Sequence, residues 1–161
     1  SPKQLESAVF VREVRRILQE VDLHDIQLIL EVTERSLLST SGRILERIRE
    51  LKQLGIQMSM DDFGMGHSSM MYLQENAFDE VKLDGSLVRQ ILENERSRDI
   101  VRGITRLAAS MQFHVVAEFV ETREQMELLK ALHCDIYQGY YYGKPCSCDE
   151  FIIKYLKQEP R

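Results

Sequence analysis

Short apolar runs rich in β-branched residues alternate with amphipathic stretches of period near 3.6 along the whole sequence. The chain opens on a helical stripe, Val9, Val11, Val14, Ile17 and Leu18, and a strand-like run follows from Ile26 to Val32. A second helical stripe carries Ile44, Ile48, Leu51 and Leu54, with Gly55 placed to end it. Ile56 to Met60 predicts the next strand, and a short helical stretch follows a Gly-containing turn near Ser68–Gln74. Val81 to Leu83 predicts a third strand, ahead of a longer helix with Ile100, Ile104, Leu107, Ala108 and Met111. His114 to Ala117 is the fourth strand. Thr122 and Gln125 form a capping-box pattern in front of Met126, Leu128, Leu129 and Leu132. Ile136 to Tyr142 predicts a fifth strand, and Ser147 with Glu150 caps a last helix through Phe151, Ile152 and Leu156.

Strand followed by helix, five times over, predicts an α/β fold with a parallel sheet and right-handed crossovers. Two architectures fit: an open doubly wound sheet, or part of a (β/α)₈ barrel. A complete barrel takes roughly 250 residues, and this chain has 161.

Composition narrows the function classes. Lys and Arg number 21 against 26 Asp and Glu, a net charge of −5, which disfavours a surface dedicated to a nucleic-acid polymer or to anionic lipid. No apolar run approaches the ~20 residues that span a bilayer, so the segment is expected to be cytoplasmic without membrane contact of its own. Cys134, Cys146 and Cys148 form no disulfide framework and read as reduced thiols. A zinc site from His133, Cys134, Cys146 and Cys148 would need a chelate with one intervening residue, which is poor geometry.

The polar residues carry the chemistry through where they fall. Each predicted strand ends on, or contains, groups that a buried strand should not tolerate: Glu31 and Glu34, then Asp61 and Asp62, then Lys82 and Asp84, then Glu118 and Glu121, then Gln138. Singly, each has an ordinary explanation. Asp61-Asp62 can be a turn with local hydrogen bonds, and Lys82 can snorkel from a strand end. Jointly, at five successive strand ends, they point to one acidic pocket, because parallel α/β folds collect the carboxyl ends of their strands on one edge. Close carboxylates repel unless cations neutralise them. All-oxygen ligands suit Mg²⁺ or Mn²⁺, and an adjacent pair suits two ions that activate water for phosphodiester hydrolysis. The methionines Met58, Met60, Met65, Met70 and Met71 read as pliable core.

The runs LILEVTE (Leu28–Glu34), MDDFGMGHSS (Met60–Ser69), VKLDGSLV (Val81–Val88), VVAEFVET (Val115–Thr122) and YQGYYYGKP (Tyr137–Pro145) resemble the EAL domain of bacterial cyclic-di-GMP phosphodiesterases. The resemblance implies a TIM-type barrel that hydrolyses one phosphodiester of cyclic di-GMP to linear pGpG with two Mg²⁺ or Mn²⁺ ions. It implies metal ligation by Glu31, Asp61, Asp62 and Glu118, with Asp61 bridging the ions. Lys82 resembles the lysine that holds the nucleophilic water, and Glu34 the glutamate that anchors the loop after the aspartate pair. Asp84, Glu121 and Gln138 resemble supporting polar residues. Four positions depart from the pattern: Phe119 stands where the family usually has Gly, Gly85 where it often has Arg, and Met65 and His67 where Thr and Tyr are commoner.

The match covers residues 1–161 as a single truncated EAL domain, about the C-terminal two-thirds. Ser1-x-x-Gln4-Leu5 resembles the end of a segment whose metal-binding Asn would lie just before residue 1, and the Glu-Ala-Leu motif is not among these residues. The expected fold is a partial barrel of about five βα units without its N-terminal strands. Three readings follow: a phosphodiesterase module with metal affinity and turnover below an intact domain; a degenerate module that binds cyclic di-GMP or a protein without catalysis; and, outside the family, a receiver-like domain with an acidic Mg²⁺ pocket. Receiver chemistry fits poorly, because its opening carboxylates belong after the first strand and here Asp-Asp follows the second. Open barrel edges predict a homodimer.

Overall fold

In the computed structural model the described residues are 2–21, 23, 26–34, 37, 43–63 and 69–156. Helices α1 (Pro2–Glu6) and α2 (Ala8–Glu20) precede β1 (Ile29–Thr33). Then α3 (Arg43–Gln53) leads to β2 (Gln57–Phe63), and α4 (Ser69–Gln74) to β3 (Glu80–Leu83). Next, α5 (Gly85–Arg89) and α6 (Glu95–Met111) lead to β4 (His114–Ala117), and α7 (Arg123–Ala131) to β5 (Ile136–Tyr137). A short α8 (Cys148–Phe151) continues into a π turn (Ile152–Leu156).

The strands form one parallel sheet in the order β1-β2-β3-β4-β5. Side chains alternate between faces along each strand. One face carries Val32, Met58, Met60, Val81, Leu83, Val115 and Ala117, all buried in the main hydrophobic cluster. The same cluster takes in Ile44, Ile48 and Leu51 of α3, Val101, Ile104 and Ala108 of α6, and Leu129 of α7. The core therefore lies between the sheet and its helices. That leaves the opposite face for polar groups.

Helix ends follow the expected chemistry. Gly55, at φ 83°, ends the α3 segment in a backbone conformation that costs glycine little. Asn94 caps α6 by accepting from the N–H groups of Arg96 and Ser97, and Thr122 with Gln125 completes a reciprocal capping box on α7.

Several boundaries differ from the sequence reading, and β2 runs on through Asp61 and Asp62 to Phe63 instead of ending at Met60. β1 runs from Ile29 to Thr33 and not from Ile26 to Val32, because Ile26 turns back to Leu23 through its N–H and is 70% exposed. The fifth strand ends at Tyr137, not Tyr142. There the N–H groups of Tyr142 and Gly143 fold back onto the carbonyl of Gly139, and Gly139 packs so tightly that a Cβ would lie 2.7 Å from the Val120 carbonyl carbon. The last helix covers only Cys148–Phe151 before widening into the π turn. Two further helices, α1 and α5, have no counterpart in the sequence pattern. Among the thiols, burial pushes Cys134 up to about 12, so it stays protonated, while Cys146 and Cys148 are exposed. Among the described residues no helix is long and apolar enough to cross a membrane.

One device recurs at the amino ends of the strands. Asp79, just before β3, accepts the N–H of Met58 on β2 at 2.8 Å, and Asp135, just before β5, accepts the N–H of Val115 on β4 at 2.7 Å. Each aspartate also donates its own backbone N–H to the carbonyl of the same residue. Asp135→Ala should cost about 1–2 kcal/mol by removing a charged acceptor from the N–H of fully buried Val115. Denaturant unfolding with an unchanged midpoint would refute it.

Candidate functional site

The parallel ladder places Glu31 beside Ser59, Ser59 beside Glu80, and Glu80 beside His114. Two residues further toward the carboxyl ends, Thr33 pairs with Asp61, and Lys82 with Val116. Adjacent residues of a parallel ladder share a face, so Glu31, Ser59, Asp61, Glu80 and Lys82 all lie on the face away from the core helices.

Lys82 organises that face. Its side chain is 6% exposed, and its ammonium lies 2.8 Å from Glu31 Oε1 and 2.8 Å from Glu118 Oε1. Burial works against the charge, but the hydrogen bonds and charges of Glu118 and Glu31 outweigh it and hold the ammonium above its ordinary value. Glu31 sits two strands away, so the lysine reaches across β2, on which the fully buried Ser59 pairs with Glu31.

The aspartate pair owes its placement to a bulge. Met60 pairs with Val81 and Phe63 with Leu83, so Asp61 and Asp62 together stand opposite Lys82. Asp62 takes a left-handed backbone at φ 58°, which aspartate tolerates better than most residues, and its N–H donates to Asp61 Oδ1 at 2.9 Å. Alternation in a regular strand would send two neighbours to opposite faces. A bulge turns them toward the same one.

Glu34 is buried at the end of β1. The loop it is expected to anchor, with Met65 and His67, lies outside the described residues. Asp84 caps α5 by accepting the N–H of Ser86 at 2.8 Å, which turns its carboxylate to the helix end. Glu121 and Gln138 meet Glu118 in a cleft of about 280 Å³ that Arg89, Phe119, Gly139 and Tyr140 complete. Glu31, Lys82 and Glu118 are thus in direct contact, with Glu121 and Gln138 beside them and the aspartate pair on the neighbouring bulge. Ser59, Glu80, Arg89 and Phe119 are neighbours of the site that strand-end placement does not single out. Counting back two residues from Asp61 and Lys82 finds Ser59 and Glu80, whereas the cleft position of Arg89 has no signal in the strand pattern.

Among the described residues no three carboxylate, imidazole or thiol groups are gathered as a ready metal cluster. The cation shared by Glu31 and Glu118 is the Lys82 ammonium. The donor set is nonetheless all oxygen, with four carboxylates from β1, β2 and the end of β4, and that chemistry fits a hard divalent cation.

The family profile of the EAL domain matches residues 1–145. The chain belongs to the EAL domain family. It is 36% identical over 154 residues to the cyclic di-GMP phosphodiesterase NbdA of Pseudomonas aeruginosa, covering 94% of this chain and 20% of that one. The chain spans about a fifth of the length of NbdA and of the Caulobacter vibrioides signaling protein it also matches. Its fold superposes on the EAL domain of Mycobacterium smegmatis DcpA with a TM-score of 0.88 at 30% identity, covering 98% of this chain and 70% of that domain. It also superposes on Klebsiella pneumoniae BlrP1 in a manganese and cyclic di-GMP complex, with a TM-score of 0.78 at 26% identity over 89% of this chain and 36% of that one. The fold is thus the TIM-type α/β fold of EAL domains, with five parallel strands in one sheet.

In this EAL chain, Lys82→Met would leave Glu31 and Glu118 facing each other without their shared cation. The expected loss is about 1–3 kcal/mol, less than the ~3–5 for a fully buried pair because Glu31 is half exposed. A lysine with a raised value contributes stability that is complete below its ordinary 10.5 and fades only as pH climbs through the higher folded value. The difference between parent and variant should therefore be constant from about pH 7 to 9. Thermal melts in which it shrinks within that range would contradict the charge assignment.

Proposed function

We propose that these residues form the hydrolytic half of a cyclic-di-GMP phosphodiesterase site, acting on one phosphodiester of cyclic di-GMP to yield linear pGpG. The observation that carries this reading is the Lys82 ammonium held between Glu31 and Glu118 on the face where the Asp61–Asp62 bulge lies. The names of the relatives support the substrate, and the BlrP1 complex supports a divalent ion.

Glu31, Asp61, Asp62 and Glu118 would hold two divalent ions, Mg²⁺ or Mn²⁺. When bound, the ions acidify water and stabilise charge on the reacting phosphate. Lys82 stays protonated at neutral pH and so serves as a donor, not a base: it orients the attacking water and offsets negative charge on the phosphate. The water oxygen forms the new bond to phosphorus, the bond to the departing 3′ oxygen breaks, and that oxygen takes up a proton. Asp84 holds the helix after the lysine strand, Glu34 is assigned to anchoring the loop after the aspartate pair, and Glu121 and Gln138 line the cleft beside Glu118.

Asp61→Asn in the full-length protein should lower turnover of cyclic di-GMP by at least ~10²-fold, since it removes charge where the reaction needs it most. Near-parental turnover at saturating Mn²⁺ would reject the assignment, and retained cyclic di-GMP binding with no turnover in the parent would mark a binding module instead.

The 161 residues alone should also self-associate. Among the described residues β1 and β5 each pair on one side only, and Ile29 and Ile136 are 38% and 41% exposed. A second copy is the occupant that covers both edges at once. Light scattering at high micromolar concentration should give at least a dimer mass, and a clean monomer would reject this.

A further inference from the structure

Two positions that depart from the EAL pattern, Gly85 and Phe119, touch in the folded chain. A Cβ on Gly85 would lie 2.6 Å from Cε2 of the Phe119 ring, so a side chain on the first residue of α5 would force that ring to shift. On the same helix, the guanidinium carbon of Arg89 sits 4.1 Å from the centre of the Phe119 ring. The ring is thus in contact with both Gly85 and Arg89.

Phe119 itself has φ 56°, a left-handed backbone that costs a bulky side chain about 1–2 kcal/mol. Contacts must hold it there. On one side of it Val120 is fully buried and tied to the loop after β5, donating its N–H to Gln138 and accepting from Tyr141. On the other side is Glu118, whose carboxylate meets Lys82 at 2.8 Å. The left-handed turn at residue 119 thus follows directly after the residue whose carboxylate meets the lysine.

We propose that Phe119 is a positioning residue for Glu118: its ring, packed between the Gly85 backbone and the Arg89 guanidinium, fixes the left-handed turn that delivers the Glu118 carboxylate to Lys82. A side chain at position 85 would then displace the Phe119 ring, and the two positions act as one unit. This inference rests on the phosphodiesterase reading of the same site.

The test is a double-mutant cycle in the full-length protein, reading cyclic di-GMP turnover, cyclic di-GMP binding and the melting temperature. Gly85→Ala should lower kcat about 10-fold with KM changed less than about 2-fold, the signature of lost positioning without lost ligand contact. In a Phe119→Gly background, where the ring is gone and the turn is free, Gly85→Ala should change kcat less than about 2-fold. Phe119→Gly alone should lower kcat about 5-fold, and Phe119→Tyr should restore it, since the ring is retained. Equal losses from Gly85→Ala in both backgrounds overturn the proposal. So does a rise in KM with kcat preserved, which would make the ring a ligand-contacting surface. A fall in melting temperature with kcat and KM of the folded protein unchanged would show a purely structural role and also overturns it. If Gly85→Ala does not fold, Arg89→Gln serves: it removes the stacked cation and should lower kcat about 3-fold, and no change would count against the proposal. Lys82→Ala, run alongside, separates the readings: unchanged turnover there rejects the phosphodiesterase site itself, whereas its loss with an additive cycle rejects only the role of Phe119.

Discussion

A buried ammonium with two carboxylates drawn from different strands is the constraint around which the polar face is built. Lys82 is nearly inaccessible, and an unpaired charge at such a site costs several kcal/mol. It is tolerated because Glu31 and Glu118 each supply an oxygen at 2.8 Å. Those partners come from β1 and from the end of β4, so the ion pairs span four strands of the sheet. Neighbouring strands lie ~4.8 Å apart, and a side chain that meets β1 from β3 must cross about twice that distance. On the strand between them, Glu31 pairs with the small, fully buried Ser59.

The other face imposes the complementary requirement. Val81 and Leu83 flank Lys82 in sequence and are fully buried against helices. Period-two alternation therefore points the lysine to the polar side for as long as the core holds its register. A one-residue slip of β3 would bury Lys82 among aliphatic side chains and turn Leu83 toward the carboxylates. The hydrophobic core and the ion pairs thus specify the same register, each by a different energy. The bulge on β2 is a local break in that scheme, and it lies beside the lysine, where two consecutive carboxylates are wanted on one face. A bulge locally gives up ladder pairing, and the left-handed backbone of Asp62 adds strain. Such a feature persists only where the surrounding strands over-determine it.

Alternation and strand-end placement explain what can be read from the sequence. The parallel order, the helix stripes and the gathering of Glu31, Lys82 and Glu118 on one edge all follow from periods of 2 and 3.6, which local sequence carries. What stays hidden depends on contacts distant in sequence. The aromatic run Tyr140, Tyr141 and Tyr142 suits a strand by propensity, and so extends the fifth strand too far. The chain leaves the sheet before that run, because Gly139 packs on the backbone of Val120 in the loop after β4. Helix α5 is a single turn that begins on Gly85, a residue that local propensity counts against. Its capping residue, Asp84, reads in sequence as a polar strand end and not as a helix signal.

Phe119 shows the same limit more sharply. In sequence it is an aromatic residue between a glutamate and a valine, a pattern that suits a strand. In the fold it has a left-handed backbone and stands 42% exposed, between Arg89 and the space that Gly85 leaves open. Local propensity disfavours that conformation, so the explanation has to come from tertiary contacts, and those contacts run through a helix that sequence pattern does not reveal. Left-handed residues elsewhere have a simpler origin: Asn76, Gln112 and His133 each follow the end of a helix, where the chain must turn. Asp62 and Phe119 end no helix. They follow directly after Asp61 and Glu118, two of the carboxylates proposed to bind metal. Locally unfavourable backbone tends to be concentrated where a fold gives up stability for placement. On β2 and just after β4 alike, the strain is adjacent to a carboxylate proposed to bind metal.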